Sequence, residues 1–237
     1  PPVKRQVWFV RQLPEKAAVK DAIEALGVPH PEVDLILVNG ESVDFSYLIG
    51  DGDRVSVYPI SGSVEASPPS RVRPPQLAQI QFILDIHLGK LATYLRLLGF
   101  DTWYQNDYED EELAKISSRD RRILLTKDRG LLKRSIVIYG YCVRQQDPFQ
   151  QVLEVLRRFD LFEAIAPLQR CLRCNGLLQS VTKEEIGDRL PPKTREFYDR
   201  FSICQDCAQI YWQGAHFSRI QNFIARIQTS TTKTRSS

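Results

Sequence analysis

Two C-x-x-C pairs constrain this chain more than any other feature. Cys171-Leu172-Arg173-Cys174 and Cys204-Gln205-Asp206-Cys207 each present two sulfurs from one turn. Two such turns facing each other close a tetrahedral site with no place left for water, which is the design of a structural zinc centre. A pair of disulfides or free thiols is the competing reading. A fifth cysteine, Cys142, stands between Tyr141 and Val143 in an apolar stretch and reads as core packing. An odd, sparse set of five cysteines does not read as a secreted disulfide framework and favours a reducing, cytoplasmic home.

The remaining sequence falls into segments of different texture. Residues 3–10 read as a strand, and Ala17 to Leu26 reads as a short helix with Ala18, Ala22, Ala25 and Leu26 on one side and Gly27 at its end. Asp34 to Val38 and Arg54 to Tyr58 read as strands, with Asn39-Gly40 as a tight hairpin turn. This is the content of a small α+β module over residues 1–60. Residues 61–76 carry Ser, Gly and four prolines and read as a semi-extended linker.

From residue 77 to 168 strands and helices alternate. Ile80 to Leu84 is a strand ending at Asp85. Leu88, Leu91, Ala92, Leu95 and Leu98 follow at helical spacing, and Gly99 closes that helix. Further strands are expected at Asp101 to Tyr104, Arg122 to Thr126 and Ile136 to Val143. Helices are expected at Asp110 to Ser117 and Phe149 to Phe159. Repeated β-α units imply a largely parallel sheet between helices, with ligands beyond the carboxyl ends of the strands. The cysteine pairs occupy a third module, residues 169–228, in which Thr182-Lys183-Glu184-Glu185 reads as a capping box. Residues 229–237 read as a disordered tail.

Acidic residues recur at the strand ends. Asp85 ends one strand, Asp128 follows another, and Asp147 follows the last, while Asp110, Glu111 and Glu112 open a helix between them. In a parallel sheet such positions converge, and converging carboxylates suit a hard cation such as magnesium or manganese. The three helix-opening acids could equally be nothing more than charges favoured by the helix dipole. Basic residues crowd the same region: Arg119, Arg121, Arg122, Lys127, Arg129, Lys133 and Arg134. They read either as a phosphate-contacting rim or as a solvated face. Residues 1–60 hold 6 Lys and Arg against 9 Asp and Glu, so the overall charge of +3 resides in the later part of the chain. Tyr211, Trp212 and Phe217 could stack on bases or pack the small module's core. No apolar run approaches the roughly 18 residues of a membrane span. The chain holds no methionine, so an upstream segment is expected to precede Pro1.

Several ordered motifs resemble one family. Residues 82–99, Phe-Ile-Leu-Asp-Ile-His-Leu-Gly-Lys-Leu-Ala-Thr-Tyr-Leu-Arg-Leu-Leu-Gly, resemble the opening of the mutator-seven C-terminal (Mut7-C) RNase family, a PIN-like nuclease group. Residues 123–130, Ile-Leu-Leu-Thr-Lys-Asp-Arg-Gly, are similar to its second hallmark. Cys171-x-x-Cys174-Asn175-Gly176, Cys204-x-x-Cys207 and Tyr211-Trp212-x-Gly214-x-His216 are similar to its zinc-ribbon end. Residues 3–60 are similar to the ubiquitin-like β-grasp domain often joined to it.

The resemblance implies an α/β, PIN-like parallel sheet flanked by helices, preceded by a β-grasp domain and followed by a zinc ribbon. It implies a metal-dependent ribonuclease, with Asp85 and Asp128 as magnesium or manganese ligands and RNA as the partner. A third acid would come from Asp110, Glu111 or Glu112, and a fourth would be Asp147. Arg121, Arg122, Lys127, Arg129, Lys133 and Arg134 would contact RNA, with Arg129 on a phosphate or orienting Asp128. His87 stands where the family is expected to have an apolar residue. The N-terminal module is also similar to sulfur-carrier β-grasp proteins. Those end in a free Gly-Gly, whereas here Pro59-Ile60-Ser61-Gly62-Ser63 runs into the linker, so the module reads as a docking unit for a protein partner. A non-catalytic RNA- or ribosome-binding adaptor is the alternative function. A toxin-like PIN nuclease held by an antitoxin is a third, which the extra domains disfavour.

Overall fold

The computed structural model describes residues 7–13, 16–59, 68–214 and 217–232. Along the chain run α1 (Val19–Ala25), β1 (Val33–Val38), β2 (Glu41–Ser42), β3 (Val55–Pro59), β4 (Gln81–Leu84), α2 (Gly89–Leu97) and β5 (Asp101–Trp103). There follow α3 (Asp110–Arg119), β6 (Ile123–Thr126), α4 (Arg129–Leu132), β7 (Gly140–Cys142) and α5 (Pro148–Arg158). The last part holds β8 (Leu178–Val181), α6 (Lys183–Ile186), α7 (Pro192–Phe197), β9 (Phe201–Cys204), β10 (Ile210–Trp212) and α8 (Phe217–Thr232). They form two compact units: residues up to His87 with Asn106–Val143, and Leu88–Gln105 with residues from Arg144 onward.

In the first unit β1 is the central strand of an antiparallel sheet ordered β2-β1-β3. Asn39 and Gly40 both take positive φ, 53° and 92°, the backbone a two-residue hairpin turn requires. Helix α1 turns Val19 and Ile23 inward rather than the alanines expected from its sequence. These two are four residues apart, lie on one helix face and bury larger side chains than the alanines. They pack with Val33, Ile36 and Val38 of β1, and Val72 from beyond the sheet joins that cluster. The expected strand at residues 3–10 is not formed at Val7–Val10, whose side chains are exposed. Residues 3–6 lie outside the described residues.

The second half of this unit is parallel. β4, β6 and β7 pair in that order, with Phe82 opposite Ile123 and Leu124 opposite Gly140. Phe82–Leu84 and Ile123–Leu125 are buried apolar runs, and Gly140, Tyr141 and Cys142 are buried beside them, the pattern of a parallel sheet's interior. α3 packs on β4 and β6, and α4 packs on β6 and β7. The β7 strand is shorter than the sequence suggests. Ile136 and Ile138 are exposed, and a turn closed by the Val137 N–H on the Arg134 carbonyl precedes it.

The N-terminal module closes against this outermost strand. The Cys142 N–H donates to the buried carboxylate of Glu32 at 2.7 Å. The His30 ring bridges Glu24 Oε1 at 2.7 Å and the Val137 carbonyl at 2.8 Å. Lys133 Nζ donates to the Glu24 carbonyl at the end of α1 at 2.6 Å, a favourable place for a cation. Part of the expected linker is pinned as well. Arg73 makes two hydrogen bonds of 2.5 Å to the Asp34 carboxylate, and Tyr139 OH donates to the Pro75 carbonyl. Glu32→Ala, which strands a buried N–H, is expected to lower stability by about 1–3 kcal/mol. Glu32→Gln keeps an acceptor and should cost clearly less; urea denaturation of both variants checks this.

In the second unit α2 lies between α5 and β5. Leu91, Ala92 and Leu95, with Leu98 just beyond, are buried at the helical spacing read from the sequence, and Arg96 and Leu97 are buried beside them. Gly99 ends the helix at φ +97°, and a Cβ there would collide with the Ala166 backbone carbonyl. Gly99→Ala therefore meets both an unfavourable backbone and a rigid clash, and should cost more than about 2 kcal/mol in thermal denaturation. The strands β8, β9 and β10 form an antiparallel sheet ordered β10-β9-β8. Ile186, Leu190, Phe201 and Ile210 make its core. The capping box is present, with Thr182 and Glu185 bonding each other's backbone N–H groups. Helix α8 runs through Thr232, so residues 229–232 are helical rather than a disordered tail; residues 233–237 lie outside the described residues. Phe223 of α8 stacks on Tyr94 and meets Phe149 edge-on. No helix among the described residues is long and apolar enough to cross a membrane. The chain is thus α/β, a parallel sheet with helices, with antiparallel sheets in its terminal modules.

Candidate active site and metal centre

Asp85 follows β4 directly and is 4% exposed. Three donors hold its carboxylate: the His87 N–H at 2.8 Å on Oδ1, and the Lys127 N–H at 2.9 Å and the Thr126 hydroxyl on Oδ2. The Thr126 oxygen also accepts from the Asp128 N–H at 2.9 Å, so one hydroxyl at the end of β6 ties the two aspartates into one frame. Asp128 caps α4, accepting from the Gly130 N–H at 2.7 Å, and is exposed. The parallel pairing of β4 with β6 brings both acids to the same sheet edge.

A cavity of about 320 Å³ opens there. Asp85, Asp128 and Asp110 line it, as do Asp107 and Glu109, which sequence reasoning missed. Their signal was present as the acidic run Asp107 to Asp110 just before α3, read only from its helical end. Among the described residues no Lys or Arg lines the cavity; His87, Asn106, Tyr108 and Thr126 complete its polar wall. The Tyr108 hydroxyl is pushed above its ordinary pKa by burial first, then by the negative charges of Glu112 and Asp107.

The other expected acids stand elsewhere. Glu111 and Glu112 are not among the lining residues, and Glu111 pairs with Lys115 on the exposed face of α3 at 2.6 Å, which lowers its pKa. Asp147 belongs to the second unit, where it caps α5 through the Gln150 N–H.

The basic run divides into unlike parts. Arg122 is 5% exposed and donates to the Phe82 carbonyl, so it is a buried structural group, not an RNA contact. Packing overrides its charge because it lies at the start of β6. Lys133 is engaged by the end of α1. The Arg129 guanidinium lies close over Gly27, 3.2 Å from where a Cβ would stand. Arg119 pairs with Asp120. Arg121 and Arg134 are exposed, and Lys127 is half-buried with its N–H on Asp85.

The cysteines meet in the second unit. Cys171 and Cys207 sulfurs are 3.6 Å apart, and those of Cys174 and Cys204 are 3.4 Å apart. All four are free thiols, and all four sulfurs lie within 4.8 Å of one another. Zinc–sulfur bonds of about 2.3 Å at tetrahedral angles place sulfurs about 3.8 Å apart, so the set fits. The two turns are near copies. The Asn175 N–H bonds the Cys171 carbonyl and the Ala208 N–H bonds the Cys204 carbonyl. Asn175 and Ala208 both take positive φ, and the Cys171 and Cys204 N–H groups return to Gly176 and Gln209. Burial opposes ionisation of Cys171, but hydrogen bonds from Tyr211 OH and backbone amides bring it down to about 6. Arg96, itself buried, donates to the Leu172 and Arg173 carbonyls and so fixes the first turn against α2. Tyr211 therefore serves the centre, while Trp212 stays 38% exposed.

Among the described residues, the cysteines are the only group of three or more ligating atoms within 4.8 Å of one another. The cavity acids stand farther apart. Their all-oxygen character still suits magnesium, which keeps several waters and needs only one or two direct carboxylates.

An α/β unit with a strand-end acid cavity, joined to a four-cysteine centre, defines a class of protein, and comparison with known families agrees with it. Residues 80–224, more than half of the chain, match the family described as the Mut7-C RNAse domain, and residues 1–65 match Mut7-C ubiquitin. The chain belongs to the Mut7-C RNase family, and its N-terminal module is the family's ubiquitin-like domain. Comparison with curated proteins and with solved structures gives no match.

Proposed function

We propose that this protein is a metal-dependent ribonuclease. The convergence of Asp85 and Asp128 through Thr126, on a cavity with three more carboxylates and no Lys or Arg among its described lining, carries this reading. Carboxylates held this way repel one another and a phosphate alike, so a divalent cation resolves the conflict. Asp85, Asp128 and Asp110 would hold magnesium or manganese. When bound, that ion polarises a phosphodiester and stabilises the leaving oxygen. Asp85 is positioned by its three donors before any ligand arrives, so little ordering remains at the moment of reaction. Arg121, Arg129 and Arg134 are the exposed cations of this run left to attract the RNA backbone.

The four cysteines would hold structural zinc, which requires reduced thiols and fits a cytoplasmic setting. We assign residues 1–60 to the ubiquitin-like domain, 61–76 to the connecting segment, 77–168 to the nuclease domain and 169–228 to the ribbon module. The ubiquitin-like domain remains a candidate docking site for a protein partner. The test is cleavage of defined RNAs with magnesium or manganese added or omitted. Cleavage that survives Asp85→Asn combined with Asp128→Asn would overturn the reading. Tight, salt-sensitive RNA binding without turnover would favour the adaptor instead.

A further inference from the structure

We propose that a groove on the ribbon module is a subsite for single-stranded RNA, with a base stacked on Trp212 and a phosphate at Arg200; it rests on RNA being the partner. The groove lies within the second unit, has a volume of about 860 Å³, and crosses β8, β9, β10 and the first turn of α8. This is the size range of ligand-binding clefts.

Two observations choose the occupant. First, the aromatic wall is unspent. Trp212 is outside the ribbon's core cluster, which takes Phe201, Ile203 and Ile210 instead, and its indole stands 38% exposed with Nε1 2.7 Å from where a Gly214 Cβ would be. Second, the cations divide sharply. Arg170 pairs with Asp101 and Lys183 with Asp199, but the exposed guanidinium of Arg200 has no partner among the described residues. An exposed aromatic platform and an unpaired guanidinium match a base and a phosphate. Residues 169–237 hold 11 Lys and Arg against 6 Asp and Glu, which attracts a polyanion. A duplex would hide its base faces, so the site selects unpaired strands.

The test uses full-length, zinc-loaded protein carrying Asp128→Asn, without added magnesium, and fluorescently labelled ten-nucleotide oligouridine. Binding is read by anisotropy. Trp212→Ala should weaken binding roughly 5- to 150-fold, and Trp212→Phe should restore part of the loss. Arg200→Ala should reduce the slope of log affinity against log salt by about 0.7. Zinc content and melting temperature of each variant, measured alongside, separate lost contacts from lost folding. The proposal is overturned if correctly folded variants bind like the parent, if a hairpin duplex binds as tightly, or if polyglutamate displaces the RNA as well as oligouridine does. A protein that cleaves RNA but is indifferent to Trp212 loses only the subsite. One that binds through Trp212 yet never cleaves loses only the catalytic reading.

Discussion

Asp128→Asn is expected to lower metal-dependent RNA cleavage by about 10²–10³-fold while leaving the fold intact. Asn is as good a helix cap as Asp, so its side-chain oxygen can still accept from the Gly130 N–H at the start of α4. The Asp128 N–H keeps its bond to Thr126. Only the charge disappears, and charge is what a divalent ion requires. Asp85→Asn makes the instructive contrast. Both Asp85 oxygens accept hydrogen bonds in a buried setting, so an amide turns one acceptor into a donor facing donors. That variant should lose activity to a similar degree and also lose about 1–3 kcal/mol of stability. Single-turnover cleavage with thermal denaturation separates the two. Asp128→Asn protein that retains activity within tenfold of the parent would remove Asp128 from the chemistry.

The second large effect concerns the sulfur cluster. Purified protein should contain one zinc per chain, and Cys204→Ser should lose it. Structural zinc sites in small modules contribute about 10–16 kcal/mol of apparent binding free energy, which becomes folding free energy. The ribbon's apolar core cluster is small, four buried residues among those described, so it cannot replace that contribution. Removal of zinc should therefore open β8, β9 and β10 to rapid hydrogen exchange. The loss should spread to α2, because Arg96 is anchored on carbonyls of the first cysteine turn. Metal analysis and hydrogen exchange report both; full zinc content in Cys204→Ser with protected strands would contradict a four-cysteine site.

How much of this was readable beforehand follows from which interactions are local. The helical spacing from Leu88 to Leu98, the Asn39-Gly40 turn and the Thr182 capping box each act over a few residues, and each formed as read. The cysteine spacing was enough to anticipate their meeting. Asp85 and Asp128 were legible because parallel strands end on one side. Asp107 and Glu109 were overlooked because their contribution depends on how the chain before α3 curves around the cavity. The basic run divides in a way its sequence does not show. Nothing in its sequence distinguishes Arg122, which burial and the Phe82 carbonyl claim, from exposed Arg121 beside it. Lys133 and Arg129 owe their places to a module more than a hundred residues earlier. The strand at residues 3–10 failed at Val7–Val10 although their β-propensity is high, because propensity alone supplies no partner.

The carboxylate of Glu32 on β7 has one more consequence. A sheet normally ends in a strand whose outward amides invite a stranger, and here one of those amides is answered by a side chain from the chain's own beginning. The seam between the two sequence families is therefore not a seam in the solid protein. A nuclease fragment starting after residue 76 would carry an uncovered edge, a loosened Lys133 and a Tyr139 without its carbonyl. Such a fragment should stick to copies of itself in gel filtration, and the missing piece, added back in trans, should keep it single.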